Sequence, residues 1–448
     1  MRKIPTLALL LLLCTALFAQ KELKPKLLAG PVVGSVTSNS AKIWIAYRGK
    51  GQNALILGDT SEQRVYYPTS YSYINNKKGE IALTMEFTGL KPNHTYNILI
   101  NIDGWGAHAK YSFKTQSDSA LRDFNFMLGS CNLLMTDVTR GLFPGGSNWI
   151  FYRMRKKKGD FMLWLGDNVY YLWRRQYSSY ENMFNRQLKI RKVYNRKYRD
   201  FLAAQPNYAI WDDHDFGPND SDKNWPLRDS ALAVFKGFWP NTYPEHPSFN
   251  GNYFNFRWSD AEFFMLDDRY YRDPEGDTAG AFLGEKQMIW LKNKLQLSDA
   301  TFKFICIGSQ VLNDNHFGES YAAYPRERNE LLDYIAQNNI KGVVFLTGDK
   351  HYSEICRRDW KGYPMYDFTA SPLTAPPLPR RIFGAYHNSY RVKGTDYGRK
   401  NFGKIWVSGP EGKRELKLEI YGRAGGKRRE FTIPQQELQR KPETTNKW

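Results

Sequence analysis

Four apolar runs of β character each stop at residues suited to binding metal ions or phosphate, and this repetition constrains the chain more than any other feature. Run 124–128 leads into Gly129-Ser130-Cys131-Asn132, and 161–165 into Gly166-Asp167-Asn168-Val169-Tyr170. Run 208–211 leads into Asp212-Asp213-His214-Asp215, and 343–346 into Thr347-Gly348-Asp349-Lys350-His351. Short unbroken apolar runs are the pattern of strands buried on both faces. In an open α/β sheet the carboxyl ends of such strands share one crevice, so groups far apart in sequence converge there. Three carboxylates around one imidazole at 212–215 repel one another and call for a counter-cation.

The donor types divide into two kinds. Thiolate, phenolate and imidazole suit a transition metal, whereas carboxylate and amide oxygens suit a harder ion. A carboxylate between them can bridge two cations about 4 Å apart, the arrangement that clamps an in-line displacement at phosphorus and activates a water. Taken singly, each piece has an ordinary structural reading: Gly-Asp is a common turn, a lone His is usually structural, and Cys131 fits a core. Their recurrence at four strand ends favours the site.

The order of the other elements sets the architecture. Short alternating strands between about 28 and 116 predict a small N-terminal β-sandwich. The turn Leu90-Lys91-Pro92-Asn93-His94-Thr95 before Tyr96 has tyrosine-corner spacing and resembles fibronectin type III modules. After the polar linker 116–122 the period changes. Apolar strands, among them 262–266 and 302–307, alternate with amphipathic helices at 285–297 and 326–337. This predicts an α/β domain over 123–425, layered around a largely parallel sheet with flanking helices. Stretch 363–421 reads as loop-rich with strands at 404–408 and 415–421, and 426–448 as a C-terminal extension.

Residues Met1-Arg2-Lys3, an apolar run at 7–13 and small residues at 16–19 predict a signal peptide cut after Ala19, hence a secreted or periplasmic protein. Leu13 is large where a lipoprotein site requires a small residue before the cysteine, which argues against anchoring through Cys14. No later segment is apolar enough to span a membrane. The other cysteines, Cys131, Cys306 and Cys356, are odd in number, so at least one thiol is unpaired. Cys306 sits in an apolar strand and is expected in the core. A net charge of +19 suits an anionic partner, whether a small or polymeric phosphate ester, nucleic acid or a lipid headgroup, among which charge alone does not choose; the basic clusters at 153–158 and 186–199 read as solvated helix faces. No nucleic-acid-binding motif accompanies them. A monomer is expected.

The four strand-end motifs, Ser130-Cys131, Gly166-Asp167-x-x-Tyr170, Trp211-Asp212-Asp213-His214 and Gly348-Asp349-x-His351, resemble those of the PhoD-type alkaline phosphatases and phosphodiesterases. That family belongs to the calcineurin-like metallophosphoesterases. Leu266-Asp267-Asp268-Arg269 with Arg272, and Leu283-Gly284 leading to Gln287 and Trp290-Leu291, support the resemblance, which spans about 123–375.

The resemblance implies a layered metallophosphoesterase-type fold and a dinuclear or larger centre of Fe3+ and Ca2+. Cys131, Asp167, Tyr170 and His351 would hold the iron. Asp167 would bridge to calcium, completed by Asp213 and Asp349. His214 would contact the phosphate or protonate the leaving group, and Asn132, Arg269 and Gln310 would contact substrate or support the ligands. Asp212 and Asp215 would orient their neighbours by hydrogen bonds. Asp215 stands where the family often has Glu, and the loop 216–222 departs from the family pattern, which leaves Asn219, Asp220 and Asn224 ambiguous as extra ligands. Two other outcomes are a single-metal esterase and a cell-surface binding protein on an inactive scaffold.

Overall fold

The computed structural model describes residues 25–441 except 50–54, 60, 103–104, 120, 135–147, 194–195, 245–249, 278, 315–317 and 379–386. The expected leader and Cys14 lie outside the described residues, as does the end of the chain from 442.

The first eight strands are β1 (Lys26–Val36), β2 (Ser40–Arg48), β3 (Leu55–Asp59), β4 (Arg64–Tyr66), β5 (Ser70–Asn75), β6 (Glu80–Thr88), β7 (Thr95–Ile102) and β8 (Trp105–Lys114). They form two four-stranded sheets, ordered β1-β2-β6-β5 and β4-β3-β7-β8. Inward residues such as Val33, Ile43 and Met85 from one sheet and Leu57, Ile98 and Phe113 from the other share one core. Tyr96 makes the anticipated corner, its hydroxyl accepting from the Lys91 backbone N–H at 2.8 Å. The sandwich is tied to the larger α/β region. Trp44 donates through its indole to the Gly237 carbonyl at 2.8 Å, and Asn207 donates to the Val33 carbonyl at 2.9 Å.

The remaining strands are β9 (Phe124–Gly129), β10 (Phe161–Leu165), β11 (Asn207–Ile210), β12 (Phe254–Trp258), β13 (Ala261–Met265), β14 (Phe302–Cys306), β15 (Val343–Thr347), β16 (Glu354–Trp360), β17 (Tyr363–Thr369), β18 (Asn401–Ser408), β19 (Glu415–Gly422) and β20 (Lys427–Pro434). They form two six-stranded mixed sheets, β11-β10-β9-β18-β19-β20 and β12-β13-β14-β15-β17-β16, rather than one parallel sheet. Parallel pairing is confined to β9-β10-β11 in one and β13-β14-β15-β17 in the other. The inner faces meet in an aromatic core, where Phe126 and Phe161 of one sheet stack, Phe263 and Phe304 of the other stack, and Phe126 meets Phe263 edge to face. A strand buried against a second sheet on one face and helices on the other looks like a parallel-sheet strand in sequence, which explains the difference.

Eight helices complete the described residues: α1 (Trp149–Lys157), α2 (Arg174–Tyr177), α3 (Tyr180–Val193), α4 (Arg196–Leu202), α5 (Asp213–Phe216), α6 (Arg228–Phe238), α7 (Glu285–Leu297) and α8 (Pro325–Gln337). Residues of α1, α3, α4 and α6 pack outside the first sheet, and those of α7 and α8 outside the second, giving four layers. Two sequence expectations change here. The stretch read as loop-rich begins with β17, which is buried throughout. The expected extension contributes β20, paired with β19 along the sheet edge. Its residues Lys427-Arg428-Arg429-Glu430 look like a solvated tail because an edge strand faces water.

Candidate metal centre

Parallel strands β10 and β11 of one sheet and β15 of the other end at one cleft of about 320 Å³, lined by Asp167, Asp213, His214, Asp349, Lys350 and His351 among others. The two sheets touch there. A side chain at Gly348 would lie 2.5 Å from the Leu165 carbonyl and 2.7 Å from Ser130, so only glycine lets the β15 end close on β9 and β10.

Backbone conformation aims the donors. Cys131, Asp167, Asp349 and His351 all adopt left-handed φ, +54°, +56°, +60° and +56°. Each follows a strand, and this sharp turn brings the side chain back over the strand end. Such conformations are costly for residues with a Cβ and concentrate at functional sites.

Three sets of donor atoms lie within coordinating reach: Cys131, Asp167 and His351; Asp167, Asp213 and His214; and Asp212, Asp213 and Glu319. Asp167 belongs to the first two, and its two oxygens face different ways. Oδ2 accepts from the Tyr170 hydroxyl at 2.8 Å and lies 3.6 Å from the Cys131 sulfur. Oδ1 accepts from the His214 backbone N–H at 3.3 Å. Tyr170 also approaches His351 Nε2 at 3.5 Å, while His351 Nδ1 lies 2.6 Å from the Pro376 carbonyl oxygen. That bond fixes the ring and points the other nitrogen at the cluster. The His214 ring packs on Tyr170 with centroids 4.1 Å apart, and its buried Nδ1 has no hydrogen-bond partner among the described residues.

Other expected residues have supporting positions. Asp212 caps α5 by accepting from the Asp213 N–H at 2.9 Å. Asp215 accepts from the Asn168 and Val169 backbone N–H groups, each at 2.9 Å, and so fixes the loop that carries Asp167 and Tyr170. Asn132 lies behind the cleft, its amide donating to the Asn168 carbonyl at 3.2 Å. Gln310 does not reach the cleft: it is buried and donates to Glu354 at 2.7 Å and Thr369 at 3.0 Å. Arg269 is also fully buried, its guanidinium on Asp212 and Glu319 rather than open to a ligand. Asp349 lines the cleft without joining any of the three donor sets. Gln287 explains one supporting motif, since its side chain accepts from the Asp267 N–H at 2.8 Å and donates to the Asp267 carbonyl at 2.6 Å.

Two cleft residues carry no signal of their own in the sequence. Glu319 comes from a segment without a strand-end pattern, while Lys350 lies inside a motif whose other members are the evident donors. Lys350 donates to the Glu319 carbonyl at 2.7 Å.

The electrostatics fit a site that holds cations. Burial, then Asp213, Asp212, Asp215 and Asp349, push the Asp167 carboxyl well above the usual range. Burial and Asp167 likewise push up the Cys131 thiol and the Tyr170 phenol. Burial also favours the neutral His351 ring, the form that binds metal. Asp213 goes the other way: His214 and Arg269 overcome its burial and hold it below the usual range. Packed acids that favour protonation become good ligands once a cation supplies the missing charge.

These buried acids make stability depend on pH. Burial pushes Asp215 and Asp349 up to about 7, against about 3.9 when unfolded. Between those values the folded state holds more protons than the unfolded one, so stability falls as pH rises. Metal-stripped protein should melt at a higher temperature at about pH 5 than at about pH 8. A melting temperature that rises over that interval would contradict it.

The family model for PhoD-like phosphatases matches residues 130–398, which contain every one of these donors. The chain belongs to the PhoD-like phosphatase family. Alkaline phosphatase D of Bacillus subtilis (strain 168) is 27% identical over 255 residues, a match covering 45% of this chain and 43% of that protein. The chain thus matches less than half the length of that relative. A solved structure of PhoD superposes with a TM-score of 0.72 at 19% identity, covering 91% of this chain and 90% of that one. The purple acid phosphatase PPD1 from yellow lupin seeds superposes with a TM-score of 0.65 at 12% identity, covering 90% of this chain and 74% of its own. At these identities the likeness establishes the shared fold. No described helix is long and apolar enough to cross a membrane.

Proposed function

We propose that the chain is a metal-dependent hydrolase of phosphate monoesters, diesters or both, with a dinuclear or larger centre of ferric iron and calcium. Cys131, Asp167, Tyr170 and His351 hold the iron, and Asp167, Asp213 and Asp349 the calcium. The observation that carries this reading is the divided Asp167 carboxylate, one oxygen toward Cys131 and Tyr170 and the other toward His214. Bound there, the ions supply positive charge that polarises phosphoryl oxygens and lowers the pKa of a water.

The chain's own groups do the rest. Burial of the carboxylates excludes bulk water and strengthens every charge interaction at the cleft floor. Packing against Tyr170 holds the His214 imidazole at the cleft wall, where it delivers a proton to the departing alkoxide. Asn132 and Arg269 act through other residues, by holding the loop and acids that face the substrate, while Gln310 supports β16 and β17 away from the cleft. The protein is a secreted or periplasmic monomer after loss of residues 1–19. Its 28–116 sandwich, a fibronectin type III-like module, braces the 123–425 catalytic domain.

Metal analysis tests the count: protein purified without added metal should carry about two ions per chain, against one for a single-metal esterase. His214→Ala should retain its metal and lose roughly 10²- to 10⁴-fold in kcat on p-nitrophenyl phosphate or bis-p-nitrophenyl phosphate. Loss of metal with that substitution would make His214 a ligand instead, as its place in the second donor set allows. If metal-loaded wild type hydrolyses neither compound, the inactive-scaffold reading takes its place.

A further inference from the structure

We propose that a basic groove beside the cleft is a second anion site, which takes a further phosphate of a substrate that carries several. This rests on the phosphate-ester reading above. The groove, of about 330 Å³, is walled by Pro377, Tyr397, Arg399, Lys400, Arg423 and Arg428. None of the described residues lining it is acidic.

The groove is fastened to the candidate centre through the backbone. The Arg423 N–H donates to the Lys400 carbonyl at 2.9 Å, fixing the β19–β20 turn against the lead-in to β18. Tyr397 and Ser353 exchange backbone hydrogen bonds at 2.8 and 3.0 Å, two residues after His351. On the near wall, Pro377 sits between Pro376, whose carbonyl oxygen meets His351 Nδ1, and Leu378, whose N–H donates to the His351 carbonyl at 3.1 Å. Leu378 itself lines the catalytic cleft. The two sites therefore share one short wall.

Four cations around one concavity repel each other. Lys400 registers this: burial first, then Arg423, favours its neutral form. A phosphate relieves the repulsion, and exposed guanidinium forks match its oxygens two at a time. An ester with one phosphate fills only the cleft, whereas a polyphosphorylated one reaches both sites. Binding energy gained at the groove is present before and during reaction, so it lowers KM and leaves kcat alone.

The test uses full-length Arg423→Gln/Arg428→Gln, with Lys286→Gln on α7 as a control for lost charge outside the groove. Inhibition of p-nitrophenyl phosphate hydrolysis by linear polyphosphate should weaken about tenfold in the double variant and not in the control. Inhibition by orthophosphate, and kcat on p-nitrophenyl phosphate, should change less than about twofold, and the salt dependence of polyphosphate binding should become shallower. Unchanged polyphosphate inhibition, or equal weakening with orthophosphate, overturns the proposal. Vesicle sedimentation separates a lipid source: if the double variant loses binding to phosphatidylglycerol vesicles while polyphosphate inhibition is unchanged, the groove serves a membrane surface and the proposal falls. If wild type proves inactive, calorimetric titration with polyphosphate still reads the groove. Binding lost in the double variant then supports the second site although the hydrolase reading has failed.

Discussion

Asp167→Ala should abolish phosphate-ester hydrolysis, with kcat falling on the order of 10³-fold or more, and should lower the metal content of the purified protein. The size of the effect comes from the position of one carboxylate. Its Oδ2 faces Tyr170 at 2.8 Å and Cys131 at 3.6 Å, and its Oδ1 faces the start of α5 at 3.3 Å. Removing it empties both donor sets at once. Losing one charge-stabilising group at a reacting centre already costs about 10²- to 10³-fold, and in the proposed centre two ions would depend on the group. Cys131→Ala removes a donor from only the first set, so it should lose one ion and keep the other. Elemental analysis beside parallel monoester and diester assays separates these outcomes. Full activity in Asp167→Ala would sink the two-metal mechanism.

Arg269→Ala should destabilise the fold by about 3–5 kcal/mol, the cost of leaving buried charges short of a partner. Arg269 is fully buried, its Nε donates to Asp212 at 2.6 Å, and its Nη1 donates to Glu319 at 2.9 Å and to the Ser221 carbonyl at 3.3 Å. Asp213 lies 4.0 Å from Nη2. One cation thus faces three acids behind the cleft, sharing Glu319 with Arg272, and ties the ends of β11, β13 and the Glu319 segment together. Urea unfolding, with the midpoint falling and the slope unchanged, reads the effect. The double variant Arg269→Met/Glu319→Gln should cost clearly less than the two single changes summed, because each single change deprives the other partner of one of its counter-charges. Strict additivity would show that the pair is not coupled.

Residues 124–128, 161–165, 208–211 and 343–346 are legible as strands because double-sided burial removes polar alternation, and α7 runs from Glu285 to Leu297 as its periodicity predicts. Cys131, Asp167, Asp213 and His351 are legible because each follows such a strand directly. Glu319 is not, since it is carried by an irregular segment and is held by Arg269 and Arg272 at its carboxylate and by Lys350 at its carbonyl. Arg269 is found by motif, yet its orientation depends on Asp212 and Glu319, which no local pattern links to it. The doubling of the sheet is hidden for a similar reason: strand pairing is decided between segments, and β18 enters beside β9 from far along the chain.

The left-handed turns at Cys131, Asp167, Asp349 and His351 give this protein an evolutionary direction. Non-glycine residues in such conformations cost of order 1–3 kcal/mol each, less for Asp and His than for Cys. Glycine at any of the four would relax the backbone and remove a donor in one step. Drift toward an inert descendant is therefore thermodynamically downhill at every one of these positions. All four side chains are therefore carried at a cost to the stability of the fold.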